Sequence, residues 1–366
     1  MSNSIDIFRF HRDVMDRYQS FSKSFLDIDD PQIEEALQDE GRLKTMWPDP
    51  LIQFNPSYEQ GASAESLVSE GVLTQDMASV FKNFSLHRHQ EEALRLGTVG
   101  KGFVVTSGTG SGKSLTFLGT IFNEVLKSPG PGVVGLVVYP MNALINSQSG
   151  EIRKHAERYK ASCGREFPVT FGQFTGQENE DRRDEMRKDP PHILLTNYMM
   201  LELMLTRSRD MTIRDAIFTN LKYIAFDELH TFRGRQGADV AMLIRRIKAE
   251  CRNDIVCIGT SATMAGGATA RERKTKVAEV ATAFFGSSFT ADQVIEESLR
   301  AISSGFSDPS TEELVKAVTR PLVAETSEEL IATTLFRWLE RTVALKFDGA
   351  RFQRGDARTI NEIAAD

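Results

Sequence analysis

The sequence predicts an α/β fold, a parallel sheet with helices on both faces, and three observations predict it. Short apolar runs recur from residue 99 onward, at 102–106, 133–139, 169–174, 192–196, 223–226 and 255–259. Stretches of helical character follow them, as at 113–127, 143–159 and 237–251. The first run ends in a glycine-rich turn that opens directly onto one of these helices. Strands that are apolar throughout, with no polar alternation, are buried on both faces. Their alternation with helices makes neighbouring strands parallel.

The flanks read differently. In residues 1–80, Ile5, Phe8, Val14, Tyr18, Phe21, Phe25 and Ile28 recur at three- and four-residue spacings, which predicts a mostly helical segment. Pro31, Pro48, Pro50, Pro56 and Gly61 punctuate it, and Trp47 and Phe54 are placed to tack it onto a neighbour. After about residue 290 the strands are expected to stop. Helical patterning resumes at 327–342 and gives way to a polar tail. The expected organisation is therefore a helical accessory segment at 1–80, the α/β domain at 81–290 and a helical extension at 291–366. A length of 366 residues suits this division.

Composition narrows the function class. No stretch approaches the roughly 20 apolar residues of a membrane span. Asp6, Arg9, Arg12 and Asp13 interrupt the first apolar run, so no secretory signal is expected. Cys163, Cys251 and Cys257 have no metal-ligand spacing and cannot form a disulfide framework, which points to a reducing, cytoplasmic setting. The net charge of -7 conceals an asymmetry: residues 1–80 carry -9, residues 81–290 carry +7, and residues 291–366 carry -5. A basic middle suits phosphate backbones. Within it, Arg182, Arg183, Arg187 and Lys188 alternate with acids and read as a solvated helix face, as do Arg245, Arg246 and Lys248.

The chemistry lies in two motifs. Ser107-Gly108-Thr109-Gly110-Ser111-Gly112-Lys113-Ser114 stands between an apolar strand and an amphipathic helix, the context of a phosphate-binding loop. Glycines let successive amides turn inward to cradle phosphate oxygens at the positive end of the helix. Lys113 would reach the β- and γ-phosphates, and Ser114 would hold Mg2+. Further on, the apolar strand at 223–226 ends in Asp227-Glu228-Leu229-His230. Asp227 would bind the Mg2+, and Glu228 would orient and deprotonate an attacking water. The implied cofactors are ATP and Mg2+. His87, His89 and His230 could suggest a metal site, but none is expected, since a family resemblance implies another role for His230.

With these motifs in place, the sequence resembles superfamily 2 helicases of the DEAD/DEAH type, and specifically their first RecA-like domain. Asp227-Glu228-Leu229-His230 matches motif II in its DExH form, and Ser261-Ala262-Thr263 matches motif III. Leu86-His87-Arg88-His89-Gln90 is similar to the Q-type motif, which implies that Gln90 reads the adenine edge. Tyr139-Pro140-Met141-Asn142 resembles motif Ia, Thr175-Gly176 motif Ib, and Thr196-Asn197-Tyr198 the strand-end motif that follows. The resemblance implies that Pro140, Asn142, Thr175, Gly176, Thr196 and Asn197 line a nucleic-acid track. It also implies that His230, Ser261 and Thr263 couple this track to the nucleotide. The aromatic-Arg-Gly run Phe232-Arg233-Gly234 is similar to the Mrf/Hrq group of repair helicases and to related helicases of bacterial phage defence.

Two departures shape what is expected. Asn142 stands where many family members carry Arg in motif Ia. The motifs of the second RecA-like domain, with its arginine finger, are not found among residues 291–366. The expectation is a motor half that holds Mg-ATP and binds nucleic acid, DNA favoured over RNA. It would be completed by a second RecA-like domain, in a longer chain or a partner polypeptide, and would hydrolyse ATP weakly alone. The alternative is an ATP-gated nucleic-acid-binding or scaffolding module without motor activity.

Overall fold

A computed structural model gives the fold and describes residues 6–25, 30–33, 35, 50–108, 110–262, 269–303, 308–319, 324–347 and 351–365. The chain divides into two compact units. One comprises Met1–Pro56, Ala301–Asp348 and Gln353–Asp366; the other comprises Ser57–Arg300 with Gly349–Phe352.

The larger unit is the expected α/β domain. Its strands are β1 (Phe103–Thr106), β2 (Gly135–Tyr139), β3 (Phe171–Phe174), β4 (Ile193–Asn197), β5 (Tyr223–Phe226), β6 (Val256–Ser261) and β7 (Val294–Glu296). They form one seven-stranded sheet in the order β3-β4-β2-β5-β6-β1-β7, and every pairing is parallel. The main helices are α1 (Arg88–Thr98), α2 (Lys113–Lys127), α3 (Asn142–Cys163), α4 (Glu180–Lys188), α5 (Tyr198–Thr206), α6 (Met211–Asn220), α7 (Gly234–Glu250) and α8 (Ala270–Phe285).

Strand side chains alternate between two cores, as a period of two requires. Val105, Val137, Tyr139, Leu195, Ala225 and Ile258 pack with α1, α2 and α3. Val104, Leu136, Val138, Leu194, Ile224 and Phe226 pack on the opposite face with α5 to α8. This double burial is why the strands read as unbroken apolar runs.

Three expectations are corrected. The strands do not stop near residue 290, because Val294–Glu296 lies parallel to β1 and completes the sheet. Only Val294 and Ile295 of that strand are apolar enough to be buried, too short a run to register in the sequence. The acidic flank is divided as well. Helices Ala64–Ser69 and Gln75–Val80 place Leu67, Met77 and Val80 in the α1–α3 core, so residues 57–80 build the α/β unit. Finally, the basic clusters are not simply solvated. Arg187 is buried, bonds Asp210 at 2.7 Å and lies 5.6 Å from the Phe174 ring. Arg245 donates to the Ala283 carbonyl at 2.8 Å, and Lys248 to that of Gly286 at 3.1 Å, so both fasten the end of α8.

In the smaller unit, helix Ile7–Lys23 matches the expected amphipathic pattern, while Trp47 lies outside the described residues. Strand Leu51–Ile52 pairs antiparallel with Arg358–Thr359, and buried Glu340 accepts from the amides of Ile302 and Ser303 at 2.9 Å each. The expected helix at 327–342 is broken into Ser327–Ile331, Thr334–Trp338 and a π-helical turn Leu339–Ala344. No described helix is long and apolar enough to cross a membrane.

Gly237, in the first turn of α7, permits one backbone approach that positions the acidic motif. A Cβ there would stand 2.7 Å from the Phe232 carbonyl oxygen. Gly237→Ala is therefore expected to destabilise the chain by about 1–3 kcal/mol, although alanine is the better helix former. Chemical denaturation measures it, and an unchanged midpoint would contradict the close approach.

Candidate active site: a phosphate loop facing paired carboxylates

The site forms where the carboxyl ends of β1, β5 and β6 meet. Register brings them together: Thr106 pairs with Ser261, and Phe226 pairs with Gly259. Ser107 and Asp227, which leave β1 and β5, and Thr260, near the end of β6, are thus close in space although far apart in sequence.

The loop after β1 is held at several points. The Ser107 amide donates to the Ser261 carbonyl at 3.2 Å, and the Ser107 and Ser111 hydroxyls bond at 2.6 Å. Gly110 and Gly112 have φ of +79° and +74°, left-handed values that glycine adopts without strain. This backbone, running into the first turn of α2 with its amides unpaired within the helix, forms an anion-binding concavity. The Gly108 amide donates to Glu297 at 3.0 Å. The Lys113 ammonium, nearly buried, donates to the Ser107 carbonyl at 2.9 Å and stands 3.7 Å from Glu228. Ser114 is half-buried on the same turn. Thr109 lies outside the described residues, as does Thr263.

Across the cleft, Asp227 is buried and accepts a short hydrogen bond from the Thr260 hydroxyl. Burial raises its carboxyl above the ordinary aspartate value; the Thr260 bond and the Lys113 charge oppose that rise, and the Glu228 charge adds to it. Glu228 takes φ of +53°, a left-handed conformation uncommon outside glycine, and its amide donates to Thr260 at 3.2 Å. This turn aims Glu228 back toward Lys113. His230 Nδ1 lies 3.1 Å from the Ser261 hydroxyl and 3.3 Å from Glu228. Ser261 therefore touches both the phosphate loop, through its carbonyl, and the acidic motif, through its hydroxyl.

Gln90 is bonded at both ends of its amide. It accepts from the His87 amide at 2.9 Å and donates to the Gly112 carbonyl at 3.0 Å. In this geometry it braces the phosphate loop against the start of α1, and an adenine would take the amide from one of these partners. His89 reinforces the brace: its Nε2 lies 2.9 Å from the Ser111 carbonyl, so that nitrogen carries the proton. Burial pushes His89 down to about 4, which keeps it neutral.

The expected nucleic-acid residues separate into two sets. Pro140, Asn142 and Asn197 are partly exposed at the ends of β2 and β4, where Asn197 donates to Asn142 at 2.8 Å and caps α5 through the Met200 amide at 2.9 Å. Gly176 is exposed. Thr175 and Thr196 are buried, and the Thr196 hydroxyl donates to the Phe174 carbonyl at 2.7 Å. The Thr196 side chain fastens β4 to β3, while the Thr175 hydroxyl accepts locally from the Gln177 amide at 3.2 Å.

Sequence reasoning missed two residues here. Thr260 joins Asp227 to the Glu228 amide; its only signal was its place one residue before Ser261. Tyr58 sets its ring 5.0 Å from that of His87 and 5.6 Å from that of His89, beside the Gln90 brace. An isolated aromatic upstream of the glutamine was the only clue.

A parallel sheet carrying a phosphate loop on one strand and paired carboxylates on the next strand but one defines a RecA-like phosphate-loop nucleotide-binding fold. The DEAD/DEAH box helicase family model matches residues 87–271, and the chain belongs to that family. It is 28% identical over 331 residues to the Druantia protein DruE of Escherichia coli, covering 59% of this chain and 18% of that protein. It is 32% identical over 185 residues to the uncharacterized ATP-dependent helicase YprA of Bacillus subtilis, covering 49% and 23%. The fold matches the crystal structure of the DUF1998 helicase MrfA bound to DNA and AMPPNP, with a TM-score of 0.53 and 23% identity over 70% of this chain and 33% of that one. The chain spans about a fifth of the length of the curated relatives it matches.

The raised carboxyl of Asp227 has a consequence for stability. Such a group contributes stability below its unfolded value of roughly 3.9, and that contribution is lost as the pH rises through the folded value. Asp227→Asn should thus stabilise the nucleotide-free protein at pH 7 by about 0.5–2 kcal/mol. The gain should shrink toward pH 4. Thermal unfolding at the two pH values checks this, and a variant less stable at pH 7 would contradict it.

Proposed function

We propose that this chain is the nucleotide-binding motor domain of an ATP-dependent helicase that acts on nucleic acid, DNA in preference to RNA. The single observation that carries this reading is the approach of Lys113 to Glu228 and Asp227 across the ends of β1 and β5. The loop of Ser107, Gly108, Thr109, Gly110, Ser111 and Gly112 would cradle the phosphates, with Lys113 at the β- and γ-phosphates. Ser114 and Asp227 would hold Mg2+, which when bound neutralises phosphate charge. A hydroxyl and a largely buried carboxylate are oxygen donors suited to that hard cation.

Glu228 would orient the attacking water and accept its proton. Lys113, at 3.7 Å, would hold it in place until phosphate takes the ammonium. His230 and Ser261 would carry the state of the γ-phosphate toward Asn142 and Asn197. Pro140, Asn142, Gly176 and Asn197 would meet the nucleic-acid backbone, and Thr175 and Thr196 would shape that surface from beneath. Transition-state charge on the phosphoryl group is stabilised from a second side by an arginine worth about 10³–10⁵ in rate. We assign that arginine, and the other half of the track, to a second RecA-like domain. The DNA preference rests on the likeness to MrfA and on the aromatic-Arg-Gly run.

Two substitutions separate binding from chemistry. Lys113→Ala is expected to abolish binding of Mg-ATP. Glu228→Gln should leave affinity within a few-fold while lowering turnover by about 10²–10⁴. Fluorescent-nucleotide titration and phosphate release measure the two. Unchanged nucleotide binding by Lys113→Ala would refute the site. Single-stranded DNA binding should weaken steeply as salt rises from 50 to 200 mM, through counterion release.

A further inference from the structure

Tyr139 is the last residue of β2 and belongs to no part of the proposed mechanism. It is fully buried, and its hydroxyl has no hydrogen-bond partner among the described residues. Burying a phenol without a partner is unfavourable, and tyrosines inside proteins nearly always find one. An orphaned hydroxyl in this position therefore calls for an explanation.

The register says what stands beside it. Val138 pairs with Phe226, and the Asp227 amide donates to the Val138 carbonyl at 3.0 Å. The next residues on the two strands are Tyr139 and Asp227, side by side across a strand spacing of about 4.8 Å. On the other flank Phe226 pairs with Gly259, which puts Thr260 next to Asp227. Tyr139 packs in the same core as Val137 and Ala225, the core of the phosphate-loop helix. The Asp227 carboxyl is thus bracketed by two hydroxyl-bearing side chains: that of Thr260, which already donates to it, and that of Tyr139, which is unengaged. Burial pushes the Tyr139 phenol up, and the neighbouring Asp227 charge pushes it further, so it keeps its proton and can act as a donor.

We infer that Tyr139 is a positioning residue for Asp227, its hydroxyl donating to the carboxylate when a divalent cation draws that carboxylate toward the phosphate loop. The inference rests on the reading of Asp227 as the Mg2+ ligand. It also gives the sheet a direct link between two functions. Tyr139 runs straight into Pro140 and Asn142 of the nucleic-acid surface, so movement of that turn would be felt at the cation, and cation binding would steady the turn.

The test uses the whole chain and a fluorescent ATP analogue titrated over a series of Mg2+ concentrations. Tyr139→Phe keeps the ring and removes only the oxygen. The variant should need about tenfold to a hundredfold more Mg2+ for half-maximal nucleotide binding, the worth of one hydrogen bond to a charged group. In EDTA its nucleotide affinity should equal that of the wild type. Its unfolding midpoint in EDTA should be equal or higher, since an orphaned hydroxyl has been removed. Thr260→Val, which deletes the donor already engaged, should shift the Mg2+ midpoint in the same direction. An unchanged Mg2+ midpoint in Tyr139→Phe, or a lower unfolding midpoint in EDTA, would overturn the inference. Lys113→Ala, run alongside, separates the failures: if it binds nucleotide normally, the reading of the site falls; if it loses binding while Tyr139→Phe is unaffected, only the role of Tyr139 falls.

Discussion

The in-register ending of the parallel strands is the constraint on which the site depends. Thr106 faces Ser261, Phe226 faces Gly259, and Val138 faces Phe226. A slip of β5 by one residue would send Asp227 to the other face of the sheet, and a slip of β1 would displace the phosphate loop from it. The pairings are fixed by the two cores, because each strand residue must reach its own apolar layer. Burial on both faces thus does more than stabilise the fold. It sets where the first polar residue after each strand emerges, and those residues are the candidate chemistry.

Local devices then hold what the register brings together. Phe232 packs edge-on against Phe226 at 5.6 Å between ring centroids and lies 5.9 Å from Phe284. This fastens the segment after the acidic motif to the core and fixes the start of α7. The left-handed turn at Glu228 is strained for a non-glycine residue, and strain of this kind persists where the surroundings over-determine it. Here the Thr260 hydroxyl and the packing of Leu229 do so. On the opposite side, Gln90 and His89 clamp the carbonyls of Gly112 and Ser111. The phosphate loop is braced from the α1 side and from β6, and the Ser107 and Gly108 amides are already engaged by Ser261 and Glu297.

Much of this was legible in the sequence because it is local. Six of the seven strands were readable as apolar runs, and the phosphate loop and acidic motif each carry their chemistry within a few consecutive residues. What was not legible depends on partners far along the chain. Thr260 acts on Asp227 only through pairing across β5 and β6, and Tyr139 stands beside Asp227 only through β2 and β5. Arg187 looked like one charge in a solvated run until Asp210, on a different segment, buried it. Thr175 and Thr196 were expected on the track through their resemblance to helicase motifs, and a motif match does not report burial. Their burial follows from the way β3 packs beside β4. The seventh strand was missed because an edge strand of three residues leaves almost no periodicity to read.

The central claim is that the turns after β1, β5 and β6 act as one nucleotide-binding unit. Amide hydrogen exchange of the whole chain, with and without Mg2+ and a non-hydrolysable ATP analogue, tests it most directly. The account predicts joint slowing of exchange over residues 110–115, 227–230 and 260–261, while α4 and α6 exchange as before. Protection confined to the phosphate loop, with the acidic motif and the end of β6 unchanged, would contradict it.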